Sequence, residues 1–127
     1  MDERFKGIFA ALVTPYTESK EVSYTELKKL VRHLIKEGVN GFYVGGSTGE
    51  AFLLSHDERK KILEAVLEEN AGERIVIAHV GCIGTDLAVD LAKHAESVGA
   101  DAVSSIAPFY YKYSQDEICD YYDTLAN

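Results

Sequence analysis

The residues best suited to chemistry are two adjacent hydroxyls, Ser47 and Thr48, inside the glycine-rich stretch YVGGSTGEAF (43–52). A glycine-flanked loop can point successive backbone amides at one spot, and hydroxyls add further donors on the same side, which suits an anion. The loop is not a P-loop, because no GK[ST] follows and Glu50 stands where a phosphate would be repelled. A small carboxylate fits better than a triphosphate. From the residues alone, a plain turn between packed elements is an equal alternative.

Other reactive residue types form no pattern along the chain. His79 ends an apolar run and could face a ligand, but a packed, hydrogen-bonded histidine is the favoured interpretation. Cys82 and Cys119 lack CxxC or Cys/His spacing, which argues against a disulfide framework and a zinc site. No base lies near Cys82 in sequence, so we expect a small packed residue there. We expect Glu50 to close the glycine loop by accepting hydrogen bonds from its amides, and we expect solvent-facing side chains at His33, His56 and His94.

The composition is that of an ordinary folded domain, with 46% hydrophobic and 27% charged residues in 127. A net charge of −8 repels phosphate backbones, so nucleic acid is not expected as a partner. The charged start MDERFKG has no signal-peptide pattern, and no apolar stretch approaches the length of a membrane span. The cysteine usage fits a reducing cytoplasm, and we expect a cytoplasmic protein without a membrane partner.

Strand and helix patterns must position these residues. Four apolar runs predict buried strands, at 7–15, 41–46, 74–81 and 101–108. Apolar residues at helical spacing follow each run. Ser-x-x-Glu capping boxes predict the starts of three helices, at Ser23–Glu26, Ser55–Glu58 and Ser114–Glu117, and Thr85 is the expected cap of the remaining one. The expected helix stops are Gly38, Gly72 and Gly99.

This alternation predicts an α/β fold with a parallel sheet, formed by residues 1–127 as one domain. Two architectures fit: an open doubly wound sheet, or about half of a (β/α)8 barrel, which needs about 250 residues when complete. The nucleotide fingerprint GxGxxG is missing after the first strand. In either case binding chemistry gathers at the carboxyl ends of the strands, which is where the Ser47–Thr48 loop falls.

Three segments, YVGGSTGEAFLLS, IAHVG and APFYYKYS, resemble at these intervals the N-terminal half of the family of pyruvate-dependent class I aldolases. That family includes N-acetylneuraminate lyase and dihydrodipicolinate synthase, and the resemblance runs from about Phe5 to the last residue. GGSTGE with AHVG is more typical of the lyase branch, because the synthase branch more often has threonine in place of Ser47. The resemblance implies a (β/α)8 TIM barrel of which this chain supplies the first four βα units, assembled as a homotetramer or paired with the C-terminal half.

The resemblance also implies roles for residues. Ser47 and Thr48 match the pair that holds the pyruvate carboxylate. Tyr110 matches a tyrosine that reaches across a subunit boundary in related enzymes and relays protons. The implied reaction, a step of sialic acid degradation, is the reversible cleavage of N-acetylneuraminate to pyruvate and N-acetylmannosamine. A lysine Schiff base and a tyrosine phenol carry it out, without a metal or other cofactor.

The family places the Schiff-base lysine on its sixth strand and the proton-transferring tyrosine on its fifth, beyond the four predicted here. Most lysines of this chain fall in predicted helices, and Lys112 near the expected site has neither evident burial nor a neighbouring cation. We therefore expect no catalysis by this chain alone. Two alternatives are a dihydrodipicolinate synthase-like aldolase and a non-catalytic half-barrel made for the study of folding or assembly. Open sheet edges should make a half-barrel associate.

Overall fold

Strands and helices alternate along the whole chain, as the sequence predicts. A computed structural model describes residues 2–127. The elements are β1 (Phe9–Ala11), α1 (Tyr24–Lys36), β2 (Gly41–Val44), α2 (His56–Asn70), β3 (Ile75–His79), α3 (Thr85–Ser97), β4 (Ala102–Ser104) and α4 (Gln115–Ala126). Short 3-10 turns lie at Glu3–Phe5, Ser47–Gly49 and Ala51–Leu53.

The four strands form one parallel sheet in the order β1-β2-β3-β4. Tyr43 of β2 is in register with Ala11 of β1 and with Ile77 of β3. Each helix therefore returns the chain to the starting end of the next strand. Sequential order without a reversal is the arrangement of a (β/α)8 barrel, whereas a doubly wound sheet reverses its order at a switch point. The predicted α/β fold with four βα units of the barrel is confirmed.

The core lies between the sheet and the helices. Phe42 and Val44 of β2 point into it with 0% and 3% exposure, and side chains of α1 meet them, because residues three and four apart share one helix face. The α1 residues in this core are Leu27, Val31 and Ile35. Tyr43 and Ile77 alternate with the buried positions and are half-buried on the other face of the sheet. That face corresponds to the interior of the barrel.

Two of the predicted capping boxes are complete. The Ser55 hydroxyl accepts from the Glu58 amide at 3.2 Å, and the Glu58 carboxylate accepts from the Ser55 amide at 2.8 Å. Ser114 and Glu117 repeat the arrangement at the start of α4. In both boxes the hydrogen bond from the serine backbone amide lowers the pKa of the glutamate, followed by the bond from the serine hydroxyl.

The other two predicted helix starts need correction. Ser23 accepts from the Glu26 amide, but the Glu26 carboxylate pairs with Lys29 at 2.7 Å instead of returning to the Ser23 amide, so only half of this box forms. The expected cap at Thr85 is wrong, because Gly84 is the N-cap of α3 and Thr85 is the first helical residue. Without a side-chain oxygen, Gly84 caps through its backbone alone.

The helix stops are where the sequence predicts them. Gly38, Gly72 and Gly99 all have positive φ, between +77° and +88°. This left-handed conformation ends a helix without steric cost only in glycine. At the end of α2 the left-handed backbone begins one residue earlier, at Ala71 with φ +48°.

The strands are shorter than predicted. The run 7–15 contributes three residues to the ladder. The run 101–108, which also contains Asp101, Ser104 and Ser105, contributes three as well. Leu12 and Val80 lie just beyond their strands and are still buried, with 3% and 2% exposure. Burial therefore extends beyond the ladder, while strand length is set by where a neighbouring strand is in register to accept hydrogen bonds.

The two outer strands each have one unpaired edge. Within residues 2–127, β1 pairs with β2 alone and β4 with β3 alone. Large apolar side chains are exposed beside these edges, namely Ile8 at 72% and Val103 at 43%. Among the described residues there is no helix with the length and apolarity that a membrane span requires.

Candidate functional site

The candidate site lies at the carboxyl ends of the strands. Thr14 follows β1, residues 45–50 follow β2, His79 ends β3, and the loop 105–113 follows β4. Because the strands are parallel, all of these segments lie at one end of the sheet. An aromatic contact joins the turn that follows residues 45–50 to the loop after β4, since the rings of Phe52 and Phe109 are 4.5 Å apart.

The loop after β2 folds into a tight turn. Gly45 has φ +72°, which glycine adopts without strain. The Gly49 and Glu50 amides donate to the Gly46 and Ser47 carbonyls, both at 3.0 Å, and form the 3-10 turn Ser47–Gly49. These bonds use the amides at the end of the turn and leave those at its start unbonded.

Four donors at the start of this turn have no partner within residues 2–127. They are the backbone amides and side-chain hydroxyls of Ser47 and Thr48. Both residues are exposed. Adjacent free amides with two hydroxyls beside them are donors that can serve an anion without a charged side chain. Ser47 and Thr48 thus lie at the carboxyl end of β2 with their donors free, and their role as an anion site stays a prediction.

Two buried side chains from neighbouring strand ends hold this turn. The Thr14 hydroxyl donates to the Gly49 carbonyl at 2.6 Å, and His79 Nδ1 donates to the Gly45 carbonyl at 2.8 Å. The two bonds fall on either side of Ser47–Thr48 and leave the four donors between them free. Thr14 was visible in the sequence only as the end of an apolar run, and no signal there indicated its bond to the loop.

His79 is packed and hydrogen-bonded, as predicted. It is 5% exposed, and its ring lies 6.0 Å from that of Tyr43 and 6.1 Å from that of Phe52. Burial lowers the pKa of His79, the bond to the Gly45 carbonyl raises it, and the nearby Arg59 cation lowers it further. The ring is therefore neutral, and donation from Nδ1 leaves the lone pair on Nε2.

The expectation for Glu50 is wrong. Its carboxylate accepts no hydrogen bond from the loop amides among the described residues, and its backbone takes the left-handed conformation with φ +59°. The carboxylate lies beside Tyr16, where burial first and then Glu50 raise the pKa of the phenol. The turn sends the Glu50 side chain away from the amides, which keeps a negative charge out of the donor set.

Tyr110 points out from the chain. Its side chain is 84% exposed, and its ring packs edge-on against Tyr111 with centroids 4.9 Å apart. Its backbone has φ +80°, an outlier for a bulky residue and a form of strain that clusters at functional positions. Within residues 2–127 its hydroxyl has no hydrogen-bond partner, so this chain does not bring it to Ser47 or Thr48.

The other reactive side chains lie outside the Ser47–Thr48 loop. Lys112 is exposed. His33 is exposed as predicted, but His94 is half-buried and bonds the Glu64 carboxylate at 2.8 Å, so the expectation of a solvent-facing side chain is wrong there. No group of three or more His, Cys, Asp or Glu side chains suited to hold a metal ion occurs in the part of the chain that the structure describes.

Comparison with known proteins identifies relatives over the whole chain. The model of the dihydrodipicolinate synthetase family matches residues 4–127. N-acetylneuraminate lyase from Shigella boydii serotype 4 is 46% identical over 127 residues, and the chain spans 43% of that relative's length. Many further curated and solved proteins match.

Solved structures of both branches also match. CdNal from Clostridium difficile, in complex with mannosamine, is 42% identical with a TM-score of 0.94, covering 96% of this chain and 42% of that one. A dihydrodipicolinate synthase (dapA) is 41% identical with a TM-score of 0.92, and the covered shares are also 96% and 42%.

Proposed function

The chain belongs to the dihydrodipicolinate synthetase family, and from that membership we propose that it is the N-terminal, carboxylate-holding half of a pyruvate-dependent class I aldolase. We propose N-acetylneuraminate as the substrate, cleaved reversibly to pyruvate and N-acetylmannosamine. The observation that carries the proposal is the set of four free donors on Ser47 and Thr48 at the carboxyl end of β2.

A carboxylate suits this donor set. Its two oxygens can each accept from an amide and a hydroxyl, and charge-assisted bonds of this kind are the strong ones. The chain carries a net charge of −8, so the loop has to supply local positive potential from oriented amides rather than from overall charge. The departure of the Glu50 side chain from the loop serves the same end.

The lyase branch is favoured by the relatives. Curated N-acetylneuraminate lyases match at 46% identity, and the structure of CdNal holds mannosamine, an amino sugar of the type that the proposed reaction releases. The second candidate is a dihydrodipicolinate synthase-like aldolase, favoured by the 41% identity to the dapA structure. Both candidates use the same carboxylate loop and differ in the aldehyde.

In the proposed reaction this chain grips one end of the substrate. Ser47 and Thr48 hold the carboxylate, while Thr14 and His79 fix the turn that carries them. A lysine Schiff base with the keto carbon, and a tyrosine phenol that moves the proton, come from the remaining strands of the barrel. Tyr110 extends from this chain to a neighbouring subunit and relays protons there, a role that its exposure and strained backbone support.

The proposal includes an assembly and a location. The open edges of β1 and β4 are covered by the remaining strands of the barrel, and complete subunits associate as a homotetramer. Cys82 and Cys119 are both free thiols, which fits the proposed cytoplasmic location.

Titration with pyruvate, followed by amide NMR, tests the carboxylate loop. We expect the largest shifts at the amides of Ser47 and Thr48, and weaker binding in Ser47→Ala. Thr25→Val, which removes an exposed hydroxyl on α1, is the matched control and should bind like the parent. Shifts centred elsewhere, or binding unchanged in Ser47→Ala, would overturn the loop assignment.

Borohydride reduction in the presence of pyruvate, followed by intact-mass measurement, tests whether the Schiff-base lysine lies outside this chain. An imine-forming lysine needs burial or a neighbouring cation, and Lys112 is exposed. We expect no adduct on this chain alone. A covalent adduct on Lys112 would contradict the proposal that the Schiff base forms on another part of the barrel.

An activity assay distinguishes the two branches. A protein in which this chain is joined to the remaining strands should condense pyruvate with N-acetylmannosamine. Efficient turnover of aspartate semialdehyde alone would move the assignment to the synthase branch and leave the carboxylate loop in place.

A further inference from the structure

A second group of reactive side chains lies behind the end of β3, away from the carboxylate loop. It consists of Cys82, His56, Arg59 and Asp90, which are called the thiol cluster below. The residues come from α2, from α3 and from the segment after β3. The described part of the chain has its other cysteine, Cys119, on the exposed surface of α4.

Arg59 supplies a positive charge at the sulfur. The residue is 7% exposed, and among residues 2–127 it forms no ion pair with a carboxylate. Its guanidinium donates to the His79 carbonyl at 2.9 Å, to the Gly81 carbonyl at 3.2 Å and to Cys82 Sγ at 3.3 Å. A buried cation is costly without a negative partner, and the sulfur is the one atom in this set that can become an anion.

His56 supplies a base. Its Nε2 lies 3.7 Å from Cys82 Sγ, and its Nδ1 lies 4.0 Å from the Asp90 carboxylate. A carboxylate on the Nδ1 side favours the tautomer with its proton there, which leaves the Nε2 lone pair facing the thiol. Sulfur, imidazole and carboxylate follow one another in the order found in activated cysteines, with the Asp90 contact at ion-pair and not hydrogen-bond distance. Asp90 is itself held by Lys60 at 2.7 Å, and that hydrogen bond lowers the pKa of its carboxyl.

The sulfur can be reached only by a small reagent. Cys82 is 6% exposed, and on its far side its backbone amide donates to the Tyr121 hydroxyl at 3.4 Å. The His56 side chain is 32% exposed and forms the solvent side of the cluster. A reagent of two heavy atoms fits this approach better than a bulky electrophile.

We propose that Cys82 is a site of oxidation by hydrogen peroxide. The sulfur attacks one peroxide oxygen as the O–O bond breaks. His56 Nε2 takes the thiol proton and passes it to the departing hydroxide, which leaves as water. Sulfur is oxidised to sulfenic acid and the peroxide is reduced, with one water formed for each Cys–SOH. Arg59 stabilises the negative charge on sulfur during the attack.

Cys119 serves as an internal control. It is exposed, and among residues 2–127 its one polar contact is with the Gln115 amide at 3.8 Å, so neither a base nor a cation bonds its sulfur there. If exposure alone governed oxidation, Cys119 would react first. The thiol cluster predicts the reverse order.

The test treats the whole chain with dilute hydrogen peroxide, removes the peroxide, and then unfolds the chain in urea so that a cyclic 1,3-diketone can trap sulfenic acid at either cysteine. Each cysteine is followed by peptide mass spectrometry. We expect Cys82 to be oxidised about tenfold faster than Cys119 in the folded chain. The two rates should become similar in urea, where the cluster is dispersed. Equal rates in the folded chain, or faster reaction of Cys119, would overturn the proposal.

His56→Gln separates activation from simple access. It keeps a polar side chain of similar reach, and the Ser55–Glu58 box that starts α2 remains. We expect the Cys82 rate to fall about tenfold, with the Cys119 rate unchanged and the thermal unfolding midpoint preserved. An unchanged Cys82 rate in the folded variant would exclude His56 as the base. The order of the two cysteines in the parent chain stands as a test even where a variant folds poorly.

Discussion

His79 is held neutral by its surroundings, and this gives folding a pH dependence. Burial lowers the pKa of its imidazole below the ordinary 6.5. The unfolded chain therefore binds this proton at a higher pH than the folded chain does. The contribution to stability is complete above the unfolded pKa and is lost as the pH falls toward the folded one. We expect the thermal unfolding midpoint to drop between about pH 7.5 and about pH 5.5.

His79→Gln is the matched variant for this prediction. Glutamine retains an amide donor for the Gly45 carbonyl but does not titrate in this range. Its unfolding midpoint should vary less with pH than that of the parent over the same interval. Parallel curves for the two proteins would assign the pH dependence to other groups.

Gly81 makes room for the His79 ring. A Cβ at Gly81 would lie 2.8 Å from His79 Nε2 and 3.1 Å from the backbone nitrogen of Ile106. Gly81→Ala should therefore displace the ring that holds the carboxylate loop, and lower the free energy of unfolding by about 1–3 kcal/mol. Chemical denaturation measures this loss.

Gly84→Ala is the control, because a Cβ there would meet Leu87 Cδ1 at an ordinary 3.6 Å. Gly84 is the N-cap of α3, where alanine is less favourable than glycine, so we expect a loss of about 0.5 kcal/mol, smaller than the loss at Gly81. If both substitutions had the same cost, the crowding at Gly81 would not be its cause.

At the residue scale, the sequence predicted the features that depend on residues close together along the chain. Ser47 and Thr48 lie within three residues of Gly45, Gly46 and Gly49, so their loop was visible. The approach of His56 to Cys82 across 26 positions was not, because it depends on how α2 packs over β3. The direction of the Glu50 side chain was not predicted for a related reason. It is set by the left-handed backbone conformation of that one residue.

At the element scale, the helix caps predict different losses of stability for two substitutions. Ser55→Ala should lower the free energy of unfolding by about 1 kcal/mol. Thr85→Ala should change it little, since Thr85 is the first residue of α3 and caps nothing. Denaturant titration of the two variants would show the difference, and a cost at Thr85 equal to that at Ser55 would contradict the assignment of Gly84 as the cap.

Helix bounds were predictable because their signals are local. A serine oxygen and a glutamate three residues later find each other within one turn, and Gly38, Gly72 and Gly99 need no distant partner to end a helix. Strand bounds depend on a neighbour that is distant in sequence, so the apolar run 7–15 overstated β1. The half-formed capping box at Ser23 shows where such local signals fail, because Lys29 competes with the Ser23 amide for the Glu26 carboxylate.

At the scale of the whole molecule, the open edges predict association. Unpaired strand edges beside exposed apolar side chains favour pairing with another chain. The purified chain should run above its 14.0 kDa mass in light scattering. Replacing Ile8 by lysine at the β1 edge should reduce this association.

Leu87→Lys provides the comparison, because Leu87 is 51% exposed on α3, away from both edges. It should leave the association unchanged. A stable monomer of the parent chain would contradict the prediction. The α/β class followed from alternation alone, and the barrel order of its units was implied by the family resemblance. The closeness of Thr14 and His79 to the carboxylate loop required the assembled sheet.

His79 faces two ways. Its ring bonds the Gly45 carbonyl of the carboxylate loop, and its own carbonyl accepts from Arg59 of the thiol cluster. One residue thus bonds both sites, so we expect a change in the charge or size of the sulfur to shift Arg59 and, through the His79 carbonyl, the ring that bonds the loop. The amide resonance of Gly46, which shares a peptide with the Gly45 carbonyl, should therefore shift when Cys82 is oxidised.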